Sequence, residues 1–185
     1  MGAADRGGDN APVRNLATQK QAIVTPTQTH FILTPGPVDL NVTFFSPVEY
    51  EVVQRQSIPL SHISVTVGTN DGASHNVQLY MDITGEWASS DLNAQVRWSR
   101  NTTSASRLQS WSTELVNQYK FGEYDNYPQW GQAVFITTED ASFLSGADLQ
   151  VRREFVSSGR LSSSQLDHHL GQLFQDRPLR CWPPP

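Results

Sequence analysis

Apolar and polar residues alternate with a period of two in several short runs of the chain. The run over residues 38–45, VDLNVTFF, places four apolar side chains on one parity: Val38, Leu40, Val42 and Phe44. Because successive side chains of a β-strand point to opposite faces, this spacing predicts a strand with one buried face. The preceding TPGP at residues 34–37 predicts a turn, since proline presets φ and glycine tolerates a positive φ. Residues 30–47 are therefore expected to form a hairpin.

A second hairpin is predicted over residues 58–87. Its first strand carries Ile63, Val65 and Val67 on one face, and Asn-Asp-Gly at residues 70–72 is a strong turn signal. The second strand holds five apolar side chains on one parity: Val77, Leu79, Met81, Ile83 and Trp87. The other parity carries Gln78, Tyr80, Asp82, Thr84 and Glu86. We expect a long strand whose apolar face is turned to the core and whose polar face is turned to water.

Shorter signals follow along the chain. Residues 92–100 repeat the alternation, residues 132–138 predict a short buried strand, and residues 107–115 are ambiguous. Residues 147–156 fit a short helix with Gly159 after its end, and a strand nearly as well. Residues 162–174 are helix-like, because three leucines recur at helical spacing: Leu166, Leu170 and Leu173.

Short alternating runs with frequent turns favour an antiparallel sandwich over a parallel α/β sheet. We therefore expect a mainly β protein, an antiparallel β-sandwich with a short helical C-terminal segment. Residues 1–15, rich in Gly, Ala, Asp and Asn, predict a flexible N-terminal arm. The sandwich domain is expected over residues 16–161, and residues 162–185 are expected to form a helical segment and an irregular tail.

Composition argues against several classes of function. The net charge of −5 disfavours nucleic-acid binding, which needs a clustered positive surface. No apolar run approaches the ~20 residues that a membrane helix requires. The single cysteine, Cys181, cannot form a disulfide within the chain or a cysteine metal cluster. The N terminus lacks an apolar core region, so no signal peptide is expected in this chain.

Two acids on the polar parity of the second hairpin, Asp82 and Glu86, invite a catalytic interpretation. Four residues of extended chain would separate them by about 13 Å. Paired carboxylates that cleave a glycosidic bond stand roughly 5–10 Å apart. The two acids are therefore too distant to act together along one strand, and we expect solvent exposure or structural hydrogen bonds.

Other catalytic patterns are missing from the sequence. It contains five histidines, none in a metal-ligand spacing: His30, His62, His75, His168 and His169. The nucleophile elbow, the P-loop and the GxGxxG fingerprint are absent. Neither catalytic, cofactor-binding nor metal-binding residues are assigned, and no cofactor is expected.

Two surface features leave alternatives open. The aromatic loop at residues 119–131, YKFGEYDNYPQWG, could stack on a sugar ring or close one end of the sandwich. Two sequons for N-glycosylation begin at Asn41 and Asn101. Asn41 falls on the polar face of its predicted strand and Asn101 opens a turn, so both are candidate acceptors if the chain is secreted.

Five segments resemble the fungal extracellular glutaminase A family: VTFFSPVE, RQSIPLSHISV, DGASHNVQLYMDITGEW, QWGQAVF and SGADLQVRREFVSSGRL. They lie between Ala11 and His169, in the order and spacing expected of that family. The resemblance implies the family's N-terminal β-sandwich domain, which a large helical catalytic domain follows. Members are secreted and glycosylated, and they hydrolyse L-glutamine to L-glutamate and ammonia.

The resemblance leads to three hypotheses. The first is a non-catalytic accessory domain whose partner, the helical catalytic domain, is missing from this chain; such a fragment should be inactive alone and expose an apolar patch. The second is a self-sufficient amidohydrolase, which requires perturbed titratable groups in one pocket. The third is a carbohydrate-binding module, which requires exposed coplanar aromatic rings. Localisation is expected to be extracellular for the full-length family and is not assigned for this chain.

Overall fold

The computed structural model describes residues 16–83, 85–88, 91, 94–103, 107–138, 140–146, 148–162 and 171–172. All strand pairs in these residues are antiparallel, and the one helix longer than a single turn lies near the C-terminal end of the described chain. The expected mainly β, antiparallel class is therefore confirmed. The described residues fall into two compact units, one before Leu79 and one from Leu79 onward.

The first unit is one four-stranded sheet in the order β1-β2-β3-β4. Its strands are β1 (Thr18–Val24), β2 (Gln28–Thr34), β3 (Val38–Phe45) and β4 (His62–Thr69), and a four-residue helix, α1 (Val53–Gln56), precedes β4. The predicted turn joins β2 to β3, and Gly36 adopts a φ of 138° that disfavours other residues. Both sequence-predicted hairpin strands around this turn are confirmed.

The first sheet has one apolar face, built by register. Leu40 lies opposite Val67 and Phe44 opposite Ile63, so the apolar parities of β3 and β4 share a side. On the same side, the rings of Phe31 and Phe44 meet edge to face with centroids 6.0 Å apart. Phe44, Ile63 and Val67 nevertheless remain exposed. The alternation thus predicted which side chains share a face, while the expected burial of that face is wrong for these three residues.

The outer strand β1 contains a bulge. Gln19 pairs with Leu33 and Gln21 with Ile32, so Lys20 is an extra residue outside the register. The Lys20 ammonium reaches Asp39 on β3, with Nζ 2.9 Å from Oδ1. The bulge therefore places a charge at the edge of the sheet, tied across β2.

Asp39 holds the β2–β3 turn together. Its carboxylate accepts hydrogen bonds from the Thr34 hydroxyl at 2.5 Å and the Asn70 amide at 3.2 Å, besides Lys20. Asn70 also donates its side-chain amide to the Gly36 carbonyl and its backbone N–H to the Pro37 carbonyl. These bonds, led by that of Thr34, lower the pKa of Asp39 to about 2.

The low pKa of Asp39 makes the stability of this unit depend on pH. Because the folded-state pKa is depressed, the contribution is fully present above about pH 4 and is lost as pH falls toward 2. We expect Asp39→Asn to lower the urea midpoint of unfolding at pH 6, and the gap from wild type to narrow at pH 3. A gap of equal size at both pH values would contradict this role for the carboxylate.

The second unit contains a four-stranded sheet in the order β10-β5-β6-β9 and a small two-stranded ribbon. The sheet strands are β5 (Gln95–Thr103), β6 (Leu108–Leu115), β9 (Ala133–Thr138) and β10 (Gly171–Gln172); the ribbon is β7 (Glu123–Tyr124) and β8 (Tyr127–Pro128). Helix α2 (Asp148–Ser158) completes the unit. Within the described ranges, neither helix is long and apolar enough to span a membrane.

The core of the second unit forms on one face of its sheet. Val96 lies opposite Leu115, and Trp111 lies opposite Phe135. The indole of Trp111 stacks on the ring of Phe143, with centroids 4.4 Å apart and planes 14° apart. Five hydrophobic side chains are buried among all the described residues: Val38, Val96, Trp111, Leu115 and Val151.

The strand predicted over residues 77–87 is wrong. Residues 74–83 pair with no strand in the described chain, and residues 85–88 form a short 3-10 helix. The reason is that Tyr80 and Asp82, expected to face water, bind side chains of α2 instead. These contacts hold the backbone beside a helix and not beside another strand.

The two segments near the C terminus that showed helical spacing, residues 147–156 and 162–174, differ in the structure. The ambiguous segment at residues 147–156 is helical as α2, and Gly159, with a φ of 66°, ends it by donating its N–H to the Phe155 carbonyl at 2.7 Å. The helix expected over residues 162–174 is not formed at Gly171–Gln172, which pair with Val96 and Gln95 of β5. Pairing satisfies backbone groups on that edge of β5, which a helix could not do. The remainder of that helix and the arm at residues 1–15 lie outside the described residues.

Candidate functional site

Asp82 is the centre of a contact between an extended segment and α2. Arg152 Nε lies 2.5 Å from Asp82 Oδ2, and the Tyr80 hydroxyl donates to the same oxygen at 3.0 Å. The ring of Tyr80 stacks on Phe155, with centroids 5.0 Å apart. Arg152 and Phe155 stand three residues apart on one side of the helix, which is why both meet the segment.

The side chains of this cluster stabilise the fold, and their arrangement does not suggest a catalytic role. Burial and the adjacent Asp82 charge raise the pKa of Tyr80 well above its ordinary value, so Tyr80 stays a protonated hydrogen-bond donor. Two donors occupy the same oxygen of Asp82 and orient it toward the helix. Asp82 therefore makes the structural hydrogen bonds that we expected from the sequence; the side chain of Glu86 lies outside the described residues.

The histidines are engaged separately. His30 Nδ1 lies 2.9 Å from the Thr43 hydroxyl, the ring of His62 stacks on Phe45, and His75 pairs with Asp71 at 2.8 Å. His168 and His169 lie outside the described residues. In the ranges that the structure describes, no three His, Cys, Asp or Glu side chains come close enough together to hold a metal ion.

Four exposed apolar side chains lie along residues 79–87, which we call the apolar ribbon. Leu79, Met81 and Ile83 alternate with Tyr80 and Asp82, and Trp87 lies in the 3-10 helix that follows. The four apolar side chains are between 39% and 74% exposed. Tyr80 and Asp82 point toward helix α2, which they contact. Because Leu79, Met81 and Ile83 alternate with them, these apolar side chains point away from the helix. The sequence predicted the opposite, because it showed the alternation without the helix that the polar parity binds.

The aromatic loop forms a hairpin with an exposed rim. Asp125 and Asn126 form its two-residue turn with φ angles of 50° and 63°, values that Asn and Asp tolerate best after glycine. Five aromatic side chains are between 43% and 87% exposed: Tyr119, Phe121, Tyr124, Tyr127 and Trp130. We call residues 119–131 the aromatic hairpin. Its rings are presented to solvent and do not close an end of the unit.

The backbone of the aromatic hairpin is tightly held. The Gly122 N–H donates to the Tyr119 carbonyl at 2.8 Å, and Gln129 bonds through its backbone to both residues. This turn puts Phe121 at a φ of 61°, which costs a bulky residue about 1–2 kcal/mol. A strained position of this kind indicates that the surrounding bonds impose the shape.

A polar network fastens the base of the aromatic hairpin to the sheet. The side chain of Gln118 donates to the Gly131 carbonyl at 3.1 Å and accepts the Gly131 N–H at 2.8 Å. Glu114 on β6 accepts hydrogen bonds from Gln132 at 2.8 Å, Arg97 at 2.5 Å and Gln118 at 3.2 Å. The bonds from Gln132 and Arg97 lower the pKa of Glu114, so the network is intact at neutral pH.

The two sequons lie in contrasting places. Asn41 sits in the middle of β3, between Ile32 of β2 and Thr66 of β4, and its Oδ1 is buried without a hydrogen-bond partner in the described residues. Asn101 is exposed, and the turn expected to begin there is wrong, because Asn101 lies within β5 and pairs with Ser110 of β6. Since an attached glycan must project into solvent, only the second position has room for one in the folded chain.

We expect glycosylation at Asn101 and not at Asn41 when the full chain passes through a eukaryotic secretory pathway. Mass spectrometry of tryptic peptides, with and without enzymatic deglycosylation, would measure the occupancy of each site. Asn101→Gln should abolish the mass shift of the whole protein, and Asn41→Gln should leave it. Occupancy of Asn41 would contradict the burial argument.

Comparisons with known proteins match most of the chain. The family model described as Domain of unknown function (DUF5127) matches residues 27–178. The chain is 33% identical over 143 residues to Glutaminase A of Aspergillus oryzae, covering 76% of this chain and 21% of that protein. It is 25% identical over 166 residues to a probable glutaminase of Arthroderma benhamiae, covering 88% of this chain and 18% of that protein. The chain thus spans about a fifth of each relative's length. No solved structure matches it significantly.

Proposed function

Because the chain belongs to the DUF5127 family and its resemblance to the glutaminase A family is confirmed by two relatives, we propose that it is a non-catalytic accessory domain of a glutaminase-type protein. Its partner in this proposal is a helical catalytic domain that hydrolyses L-glutamine to L-glutamate and ammonia. Secretion of the whole protein is part of the same proposal.

The apolar ribbon is the observation that carries this proposal. Its backbone has no strand partner in the described chain, and one side is already fixed by Arg152 and Phe155. The other side presents Leu79, Met81 and Ile83 to solvent. Full burial of such a side chain stabilises a contact by about 1.5–3 kcal/mol, so a covering domain would gain several such contributions. Contiguous exposed apolar residues of this kind mark interaction surfaces.

The charged groups also support an accessory role. The acids with clearly lowered pKa values, Asp39, Asp71 and Glu114, each bind neighbours that fix a turn or a loop. In the described residues, none of the three lies beside a histidine and a hydroxyl in the arrangement that activates a nucleophile. The acids that are perturbed are thus explained by structure, which disfavours the self-sufficient amidohydrolase.

Ammonia release from L-glutamine by the full chain is the direct test. We expect a folded β protein by circular dichroism and no ammonia above a heat-denatured control. Release above that control that persists when the chain is purified further would show that the chain carries its own active site. That result would refute the accessory role.

A chimera tests the docking surface. The segment of Aspergillus oryzae Glutaminase A that matches this chain would be replaced by this chain, and secreted yield and glutaminase activity measured. We expect the chimera to be active, and Ile83→Asp to reduce its yield and melting temperature while leaving the melting temperature of the isolated chain unchanged.

The matched control is Tyr50→Asp, because Tyr50 is 85% exposed in the other unit. It should leave both the chimera and the isolated chain unaffected. Equal effects of the two substitutions on the chimera would exclude the apolar ribbon as the contact with the catalytic domain.

A further inference from the structure

We infer that the aromatic hairpin is a carbohydrate-binding site that takes pyranose rings of a soluble, uncharged polysaccharide chain. The site is independent of the proposed docking surface, because the apolar ribbon and the aromatic hairpin share no residue. Its ligand contacts would be the exposed rings and the polar side chains between them.

Exposed rings provide the stacking surfaces. Tyr124 and Tyr127 lie directly opposite each other in the β7–β8 register, so their side chains project from the same face of the hairpin. Phe121 and Trp130 contact each other at the base of the hairpin, with centroids 5.3 Å apart. The C–H face of a pyranose ring packs on an aromatic face through the same dispersion and hydrophobic contacts that aromatic pairs use.

Polar side chains between the rings favour a sugar over a protein partner. Glu123, Asp125 and Asn126 are exposed beside the rings, where carboxylate and amide groups can bind hydroxyls. Aspartate and glutamate are depleted at the centres of protein interfaces. The apolar ribbon lacks such groups on its exposed parity, which separates the two surfaces chemically.

Local charge restricts the ligand. Lys120 is outnumbered by Glu123 and Asp125, so the aromatic hairpin is weakly acidic. A polyanion such as a uronic-acid or sulfated polysaccharide would be repelled by this surface. The site therefore fits an uncharged chain.

Ring geometry restricts it further. The planes of Phe121 and Trp130 are tilted by 60°, so these two rings form a corner and not the platform of coplanar rings that was expected from the sequence. A crystalline polysaccharide presents a flat face that requires coplanar rings. A single soluble chain can turn from one ring plane to the next, so the geometry selects soluble over crystalline ligands.

The hairpin is already shaped for binding. The turn at Gly122, the backbone bonds of Gln129 and the clamp between Gln118 and Gly131 fix it before any ligand arrives. Fixed aromatic side chains lose little conformational entropy on binding.

Affinity gel electrophoresis of the full chain tests the site, with soluble mixed-linkage β-glucan, galactomannan and hydroxyethyl cellulose in separate gels. We expect retardation by at least one of these, little adsorption to crystalline cellulose, and an affinity at least tenfold lower for Trp130→Ala and for Tyr127→Ala. Tyr50→Ala, an exposed tyrosine outside the hairpin, should bind like wild type. Circular dichroism and thermal melting would verify that each variant is folded.

A glycoprotein bearing neutral N-glycans, compared before and after enzymatic deglycosylation, separates a protein-borne glycan from a free polysaccharide. If binding is lost on deglycosylation, the inference is supported and the ligand is a glycan attached to a protein. Binding that survives deglycosylation identifies a protein ligand and overturns it. Absence of retardation in every gel, or equal losses for Tyr50→Ala and Trp130→Ala, would also overturn it.

Discussion

Replacing Trp111 by alanine is expected to lower the free energy of unfolding of the second unit by about 3–5 kcal/mol. Trp111 is 5% exposed at the centre of β6 and stacks on Phe143, so the substitution leaves a cavity between the sheet and the segment that covers it. Chemical denaturation followed by circular dichroism would measure the loss. A loss of this size is a large part of the stability of a typical domain.

Two further substitutions make the Trp111 experiment specific. Trp87→Ala removes an indole that is 74% exposed and should change the free energy of unfolding by less than about 0.5 kcal/mol. Trp111→Phe should cost much less than Trp111→Ala, because it keeps a ring for Phe143 and removes an Nε1 donor that is buried without a partner in the described residues. Similar losses for Trp87→Ala and Trp111→Ala would show that the core lies elsewhere.

Replacing Gln109 by leucine is expected to cost about 1–3 kcal/mol, since each of its two hydrogen bonds to a main-chain carbonyl contributes about 0.5–1.5 kcal/mol. Gln109 is 1% exposed, and its Nε2 donates to the carbonyls of Thr138 at 2.9 Å and Ala141 at 2.7 Å. Its Oε1 accepts from Arg100 at 2.8 Å. One amide thereby fixes the chain that leaves β9 toward Phe143.

The effect of Gln109→Leu should extend beyond stability. Loss of the two carbonyl contacts loosens the turn in which Ala141 N–H bonds to the Thr138 carbonyl, so amide hydrogen exchange at Ala141 should become faster even where the fold persists. Gln95→Leu, at an exposed position of the same sheet, is the matched control and should be near neutral. Unchanged exchange in Gln109→Leu would mean that the carbonyls find other partners.

Local alternation predicted the strands whose partners are close in sequence. The hairpin around Gly36 and residues 95–100 of the run predicted over 92–100 fold as expected, because neighbouring strands supply both backbone partners and the facing side chains. The long strand at residues 77–87 did not, because Arg152 lies 70 residues from Asp82. The contact between Arg152 and Asp82 determines the conformation of this segment, and the local sequence pattern does not reveal it.

Residues 147–156 show the limit of periodicity in a short segment. LQVRREFV fits either period, and the contacts of Arg152 and Phe155 with the extended segment favour the helix. Gly171–Gln172 form a strand and not the expected helix, because they pair with the edge of β5. Helical spacing of leucines could not reveal that edge.

The sequence predicted which residues make up the candidate sites, but it did not predict which of them are exposed to solvent. The sequence showed the aromatic residues of the hairpin and both sequons, yet exposure depends on what packs above each residue. Asn41 and Asn101 are equivalent as sequence patterns, and the flanking strands β2 and β4 alone distinguish them. For Asp82, the distance argument excluded a carboxylate pair without identifying Arg152 as its partner.

The bulge in β1 bears on how the protein meets copies of itself. A straight outer strand offers a continuous row of backbone donors and acceptors, to which another chain can add. In β1 the row is interrupted at Lys20, whose ammonium is tied to Asp39. An incoming strand would lose its register there. Fibril growth from the β1 edge is therefore disfavoured, which leaves β4 as the edge of this sheet with an uninterrupted register.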